Sequence, residues 1–400
     1  LSEPKAFTGL RVVDLTQGVA GPHCTMLLAQ HGADVIKIEP VEGDWSRSLG
    51  DLRGDHGGHS VYFNRGKRSI ALNLKHPDGI AIVRKLAADG HVFGESFRPG
   101  VIKRLGLGYE AIKAANEKIV YFSVSGFGQE GPFSTRPTVD TLIQAFSGMM
   151  VMNRTPDGVP HRQGMIAVDV LTGLYGFQAV SAAITKQVRF GIGAYIDNSM
   201  MLATAAFQGA KLMEHAISDG KPPPLYVPAG MFKTANGYIV VSSMRKHHFT
   251  VLMELIGRPD IPADARMQTH ESRIRNAPII NQALTEAFPA KTTEEWLQIL
   301  IEAGVFAERV NNYQEYLDHA HTKAVHGVDW LEQDGVGTLP VVRTPGLPRP
   351  ANDVPTQHAP HIGEHGRAIL GEQGYSSGDI DRLIKDGAVG APSQAAKAAE

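Results

Sequence analysis

One cysteine, Cys24, stands in a chain of 400 residues. An internal disulfide framework and a cysteine-rich metal centre are therefore excluded, and a reducing compartment, the cytoplasm, is expected. Charge of one sign is missing too: 39 lysines and arginines against 41 aspartates and glutamates leave a formal net charge of -2. No basic field for nucleic acid results, although short basic patches can still bind a few phosphates. The first ten residues, LSEPKAFTGL, carry no basic region followed by an apolar run, and the most apolar long window, 142–152, is too short to span a bilayer. Neither a signal peptide nor a membrane span is expected. Tandem repeats and low-complexity tracts are absent. What is present, 42% hydrophobic residues, suffices for a large core in about two domains.

The first half alternates β-branched runs with helical periods. RVVDLT (11–16), DVIKIEP (34–40), SIALNL (69–74) and KIVYFSVS (118–125) read as strands. PHCTMLLAQHG (22–32) and HPDGIAIVRKLAADG (76–90) space apolar residues at i, i+3 and i+4 and end on glycine, as helices do. Strands separated by helices predict a mostly parallel sheet covered on both faces. A long helical region is expected from Asp169 to about Ser218, broken by KPPPLYVP (221–228), whose consecutive prolines lack N–H donors and read as an interdomain linker. MFKTANGYIVVSS (231–243) predicts a hairpin turning at Asn236-Gly237. Helical segments follow near 249–256, 279–287 and 293–303, then a second Pro-rich stretch (339–350), a helical tail (361–385) and a frayed end (387–400).

Asp169 lies in GMIAVDVLTGLYG (164–176), between an apolar tetrad and a Gly-spaced helical period. By itself it reads equally as a helix cap or as a nucleophile. Asp140, in RPTVDTLIQAFSG (136–148), reads as a second cap before an apolar helix. GFGQEG (126–131) matches G-x-G-x-x-G after a predicted strand, but Pro132, Pro137 and a polar turn follow where a dinucleotide fingerprint needs a helix N-terminus. A dinucleotide site is not expected. The pairs His56/His59, His247/His248 and His319/His321 have no carboxylate or cysteine partners at helix-face spacing, so no metal is expected. Lys75, Arg98, Lys103 and Arg104 stand where solvated loop charges usually do, yet they are also the residue types that bind phosphates.

LTQGVAGPHCTMLLAQHGADVIKIEP (15–40), KRSIALNLKHPDG (67–79), ESFRPGVIKRLGLGYE (95–110), VSGFGQEGP (124–132), the Asp169 segment, GIGAYIDNSM (191–200) and HIGEHGRAILGEQGYS (361–376) follow one another at telling separations. In this order they resemble the class III CoA-transferase family, which includes formyl-CoA and carnitine CoA-transferases. The resemblance covers nearly the whole chain. It implies an α/β fold in which a Rossmann-like large domain with a mostly parallel sheet is joined to a smaller α+β domain, in an interlocked homodimer. The corresponding division is 1–220 for the large CoA-binding domain, 221–330 for the small domain, and 331–400 for a linker and a return to the large domain. Asp169 would be the covalent nucleophile, and Asp140 would orient or polarise the site, two nearby carboxylates tending to raise one pKa. Gly126 and Gly128 would belong to a loop whose small residues let backbone approach a thioester carbonyl. Val19, Ala20, Leu72, Asn73, Lys75, Ser96, Phe97, Arg98 and Arg104 would line the CoA site. Ser96 departs from the family's usual asparagine, its hydroxyl replacing part of the amide contact.

The implied reaction moves CoA from a donor acyl-CoA, with succinyl-CoA preferred, to a small carboxylic or dicarboxylic acid through an aspartyl intermediate. The CoA thioester is a substrate; no permanently bound cofactor, metal, nucleic acid or membrane is called for. One alternative is a 2-methylacyl-CoA racemase of the same superfamily. It needs a histidine before the acid at Asp140, where Val139 stands, and a glutamate after the hairpin, where MRKHH (244–248) has no acid. The other is a non-catalytic acyl-CoA binding protein. SSMRKHHFT (242–250) lacks the glycine-rich loop of formyl-CoA transferases, which argues against oxalate. Arg47, Arg245 and Lys246 are candidates for binding a second acidic group on the acceptor, against a reading as exposed surface charge.

Overall fold

A computed structural model describes residues 3–155, 157–347 and 357–392. The end of the second Pro-rich stretch (348–350) and most of the end expected to fray (393–400) lie outside the described residues. The chain divides into two units, Leu1–Gly209 with Gly327–Glu400, and Ala210–His326. The first division thus falls ahead of KPPPLYVP, which lies inside the second unit.

The larger unit is built on six strands: β1 (Arg11–Leu15), β2 (Asp34–Glu39), β3 (Arg68–Ala71), β4 (Val92–Glu95), β5 (Val120–Ser125) and β6 (Ala194–Ser199). Their order is β3-β2-β1-β4-β5-β6 and every pairing is parallel. From β1 the chain winds outward to β3 and then returns to lay β4 on the other side of β1. The winding reverses between these two strands, and in such sheets a crevice opens there, outside the carboxyl ends.

Alternation along each strand sends side chains to both faces, and both are covered. Val13, Ile36, Ile70 and Tyr121 are buried with the helix α2 (Pro77–Ala88) and with Ile369, Leu370 and Leu383 of the returning tail. Val12, Val35, Val92, Val120 and Phe122 are buried against α1 (Ala20–Gln30) and the long helix α4 (Ala167–Phe190), α3 being Asp140–Phe146. Each such side chain contributes about 1.5–3 kcal/mol on burial.

Three expectations are corrected here. β6 interrupts the long helical region: α4 ends on Gly191 in the left-handed conformation, and a Cβ on Gly193 would sit 2.4 Å from the Ile119 carbonyl oxygen. The chain is thereby pressed against β5 and pairs with it. Secondly, α4 has 24 residues and is long and apolar enough to cross a membrane, which the window 142–152 is not. Here it lies on α1, β5 and β6, burying Val168, Gly173, Gly176 and Val180. A Cβ at Gly173 would meet His23 at 2.6 Å and one at Gly176 would meet Phe122 at 2.6 Å, so these glycines set how closely the helix packs. Thirdly, the segment after the last helix is not frayed at its start: the Asn73 N–H donates to Ala388 O and the Gly390 N–H to Ala71 O, both at 2.9 Å.

The smaller unit carries an antiparallel sheet, β7 (Ala229–Lys233), β8 (Tyr238–Ser242) and β9 (Phe306–Arg309), in the order β9-β8-β7. β7 and β8 form the expected hairpin at Asn236-Gly237. Asn236 Oδ1 also accepts from the Thr293 N–H at 2.8 Å, tying the turn to the helix Thr293–Glu302. The core comprises Ile239, Val241, Phe249, Leu252, Leu284, Phe288, Trp296 and Leu300. β9 had no counterpart in the sequence reading.

Candidate functional site

A cavity of about 530 Å³ opens in the larger unit, lined by residues that follow β1, β4 and β5. That size is ordinary for a small-molecule site. Its walls are the turn before α1 (Gln17, Val19, Ala20), the loop after β4 (Ser96, Phe97, Arg98), the end of β5 and its exit (Val124, Ser125, Gly126), the crossing segment from Ser134 to Val139, and Trp45, Asp169 and Met200.

Close approach shapes these walls. A Cβ on Gly18 would fall 2.2 Å from Trp45 Cζ2, so the indole lies against bare backbone. A Cβ on Gly126 would fall 2.0 Å from Thr138 Cγ2, so only glycine lets the crossing segment pass there. Beneath the first turn lies a fully buried charge network. Lys37 Nζ donates to Asp44 Oδ2 at 2.7 Å and to Thr16 O at 3.1 Å, while Asp44 Oδ1 accepts from the Gly18 N–H at 3.0 Å. Lys67 Nζ donates to Asp14 Oδ2 at 3.0 Å. Burial opposes ionisation of Asp14, but Lys67 and Lys37 outweigh it and hold the carboxyl below its usual range. Buried charges persist only when paired in this way.

Asp169 is the third residue of α4. Among the described residues its carboxylate accepts no hydrogen bond, and burial, aided by Asp140, pushes it up to about 7. The capping reading belongs instead to Asp140, and to α4 rather than to Asp140's own helix. Its Oδ2 accepts from the Val168 N–H at 2.7 Å and the Asp169 N–H at 3.1 Å. His23 Nδ1 lies 3.1 Å from Val170 O, to which it donates, and burial pulls this histidine down to about 4. It is neutral near pH 7.

Of the residues singled out from the sequence, Val19, Ala20, Ser96, Phe97, Arg98, Gly126 and Asp169 line the cavity. Leu72, Asn73, Lys75 and Arg104 do not. Leu72 is buried and bridged to Val389, and Asn73 Nδ2 donates to Gly387 O at 3.2 Å. Gly128 is also off the lining; its N–H donates to Ser125 Oγ at 3.0 Å, and the Gln129 N–H donates to Asp197 Oδ2 at 2.9 Å. These two amides are therefore engaged rather than open to an oxyanion. Arg47 is not an acceptor-binding residue: it is buried in a bidentate pair with Glu39 at 2.8 and 2.9 Å and donates to Pro360 O at 2.9 Å. Arg245 and Lys246 are exposed residues of the smaller unit.

Sequence reasoning missed Gln17, Trp45, Arg136, Thr138 and Met200. Arg136 sits over the Phe127 and Phe133 rings at 5.9 and 4.9 Å and, with Arg98, brings the cationic side chains of the lining. A tryptophan two residues after Gly43 and an arginine inside a polar, Pro-flanked turn were the available signals. The tertiary fold also joins groups that spacing kept apart. Asp55, His56 and His361 hold ligand-type atoms within 4.8 Å of one another. Arg47 Nη1 stands 3.4 Å from His56 Nδ1, and His361 contacts Asp55 at 2.6 Å and Asp334 at 3.3 Å through its two nitrogens. Both nitrogens donating to carboxylates is the pattern of an imidazolium in a closed ionic cluster.

The profile of CoA-transferase family III matches residues 7–366. A succinyl-CoA:glutarate CoA-transferase of Mus musculus is 32% identical over 400 residues, covering 96% of this chain and 90% of its own. An acetyl-CoA:oxalate CoA-transferase of Acetobacter aceti is 36% identical over 318 residues, covering 76% of this chain and 80% of its own. The crystal structure of a CAIB/BAIF family protein from Brucella suis superposes with a TM-score of 0.82 at 30% identity, covering 93% of this chain and 100% of that one.

Proposed function

The chain belongs to CoA-transferase family III and is a CoA-transferase, and from that premise we propose that it passes CoA from succinyl-CoA to a small diacid through a covalent intermediate on Asp169. The observation that carries this is the Asp169 carboxylate, free of hydrogen-bond partners among the described residues and facing the cavity at the boundary between its neutral and ionised forms. A carboxylate held back by hydrogen bonds would be a poorer nucleophile, and a hydrolytic base would discard the thioester's free energy.

An Asp169 oxygen attacks the thioester carbonyl carbon, the C–S bond breaks, and CoA thiolate leaves a mixed anhydride behind. The thiolate attacks the aspartyl carbonyl of that anhydride, releasing the donor acid and forming an aspartyl-CoA thioester. The acceptor carboxylate then attacks the same carbonyl and expels the thiolate, which takes the acceptor acyl group and frees Asp169. Ser96, Phe97 and Arg98 with Val19 and Ala20 bind the CoA arm, and Arg136, the other cation of the lining, receives the far carboxylate of a diacid. The relatives named for glutarate and for oxalate support an acid of this size. Val139, which lines the cavity and carries no proton to exchange, leaves a racemase without one of its bases.

A homodimer is part of the same reading. Leu174, Val188 and Phe190 of α4, with Leu202 and Phe207, are large apolar residues left exposed on one chain, and a second copy would have such residues to cover. Sedimentation at nanomolar concentration tests it, a stable active monomer being the contrary result.

Asp169→Asn is expected to fold and to lose transfer by several orders of magnitude. Hydroxylamine added during turnover of the wild type, followed by peptide mass spectrometry, is expected to mark Asp169 alone. Donors and acids, oxalate included, are screened by the mass of the CoA products. Exchange at the wild-type rate by Asp169→Ala would end the proposal.

A further inference from the structure

Glu95, Ser123 and Asp197 stand side by side at the carboxyl ends of β4, β5 and β6, paired in register across the sheet. A hydrogen-bonded chain runs through them. The Gln129 N–H donates to Asp197 Oδ2 at 2.9 Å, Gln129 Nε2 donates to Ser123 Oγ at 2.8 Å, and Ser123 Oγ donates to Glu95 Oε1. At the far end Glu95 Oε2 accepts from the Phe97 N–H at 2.9 Å. The chain therefore links the glycine-rich loop after β5 to the Ser96, Phe97 and Arg98 segment after β4, and both loops wall the cavity.

Glu95 is 1% exposed. The groups that face it are Ser123, the Phe97 amide, Asp197, Tyr121 and Tyr195, and none of them is a cation. Burial pushes its carboxyl up to about 7. The other buried acids of this sheet, Asp14 and Glu39, are paired with Lys67 and Arg47; a buried acid without such a counter-charge weakens the core unless it does something a hydrocarbon would not. It takes no part in the covalent steps above.

We propose that Glu95 is a positioning residue: by accepting from Phe97 on one side and from Ser123 on the other, it holds the two cavity walls at the separation that admits the CoA thioester. The inference rests on the reading that this cavity takes the thioester.

The test uses the full chain and coenzyme A itself as probe, measured by calorimetry, together with exchange between succinyl-CoA and labelled succinate. Glu95→Ala leaves the Phe97 N–H and the Ser123 hydroxyl without their acceptor. CoA affinity is expected to fall about tenfold and the KM for succinyl-CoA to rise by the same factor, with kcat at saturation within about threefold. Glu95→Gln, whose oxygen accepts from Phe97 and whose amide donates to Ser123, is expected to recover affinity to within about twofold. Gln129→Ala, which breaks the chain on the loop side without touching the core, is expected to weaken CoA in the same direction, and it serves if Glu95→Ala does not fold. Unchanged CoA affinity in Glu95→Ala or Gln129→Ala, a loss confined to kcat, or a Gln variant as weak as the Ala variant would each overturn the proposal. Asp169→Asn separates the two readings: wild-type exchange in that variant removes the nucleophile assignment and leaves the Glu95 result standing, whereas unchanged CoA binding on loss of Glu95, with Asp169→Asn inactive, removes only the positioning role.

Discussion

The N–H of Asp169 donates to Asp140 Oδ2 at 3.1 Å, so one carboxylate caps the helix whose first turn carries the other. Asp140 is itself held by Gln144 Nε2 at 2.6 Å. The helix end favours negative charge at Asp169, while burial and the neighbouring carboxylate oppose it, and the balance leaves Asp169 at about 7. Asp140 thus stabilises the helix and, after burial, adds to the basicity of the proposed nucleophile.

Asp140→Ala and Asp140→Asn should therefore differ. The alanine variant loses the cap and is expected to lose about 1 kcal/mol of stability, read by thermal or urea melts. The asparagine variant keeps an acceptor for the two amides but removes the charge. Its melting is expected to stay near the wild type while the acid limb of its kcat profile moves to lower pH, because Asp169 then ionises more readily.

Asp169 also predicts two pH dependences. Turnover is expected to decline as pH falls through about 7, where the carboxylate takes up a proton. Stability runs the other way. Between the ordinary carboxyl value of 3.8 and about 7 the folded chain keeps a proton that the unfolded chain has released, so stability falls as pH rises across that window. Asp169→Asn removes this penalty. It is expected to exceed wild-type stability at about pH 8 by on the order of 1 kcal/mol, allowing for solvent in the cavity, and to match it near pH 4.

Gly126→Ala is expected to cost about 1–3 kcal/mol by overpacking, since its Cβ would sit 2.0 Å from Thr138 Cγ2 and 3.4 Å from Thr138 Cβ. Thr138→Ser removes Cγ2 alone. The double variant should recover most of the stability and transfer activity lost in Gly126→Ala; additive losses in a double-mutant cycle would show that the clash is not the cause.

His361 joins Asp55 at 2.6 Å and Asp334 at 3.3 Å, tying the returning tail to two earlier segments of the larger unit. The hydrogen bond to Asp55 outweighs burial and raises its pKa above the ordinary 6.5. A raised histidine contributes stability that is fully present below about pH 6.5 and lost as pH rises through the folded value. His361→Gln should accordingly lower the melting temperature more at about pH 6 than at about pH 9, and a pH-independent loss would refute the ionic account.

Local chemistry made much of this legible in the sequence. β-branched runs at 11–16, 34–40 and 118–125 became β1, β2 and β5, and Asn236-Gly237 became a hairpin turn, because backbone preference and side-chain period act within a few residues. β4 and β6 escaped: HVFGE is short and holds a glycine, and AYIDNS alternates only weakly after a helix. Their strand character comes from neighbours already in the sheet. At the site, the family motifs pointed to Asp169, to the Ser96, Phe97 and Arg98 segment and to the turn of Val19 and Ala20, all of which face the cavity.

What the sequence alone determined is the kind of sheet, since that depends on residue type and short-range spacing, while the resemblance of its motifs to the family, not spacing, singled out Asp169 and the segments around it. Only the tertiary structure decided that Asp140 caps another helix, that Arg47 is consumed by Glu39, that Gly126 exists for Thr138, and that Asp55 meets His361 across 306 positions. Those relations join residues far apart in the chain, and a hydrogen bond or a clash is settled by distances of a few tenths of an ångström that no local pattern encodes.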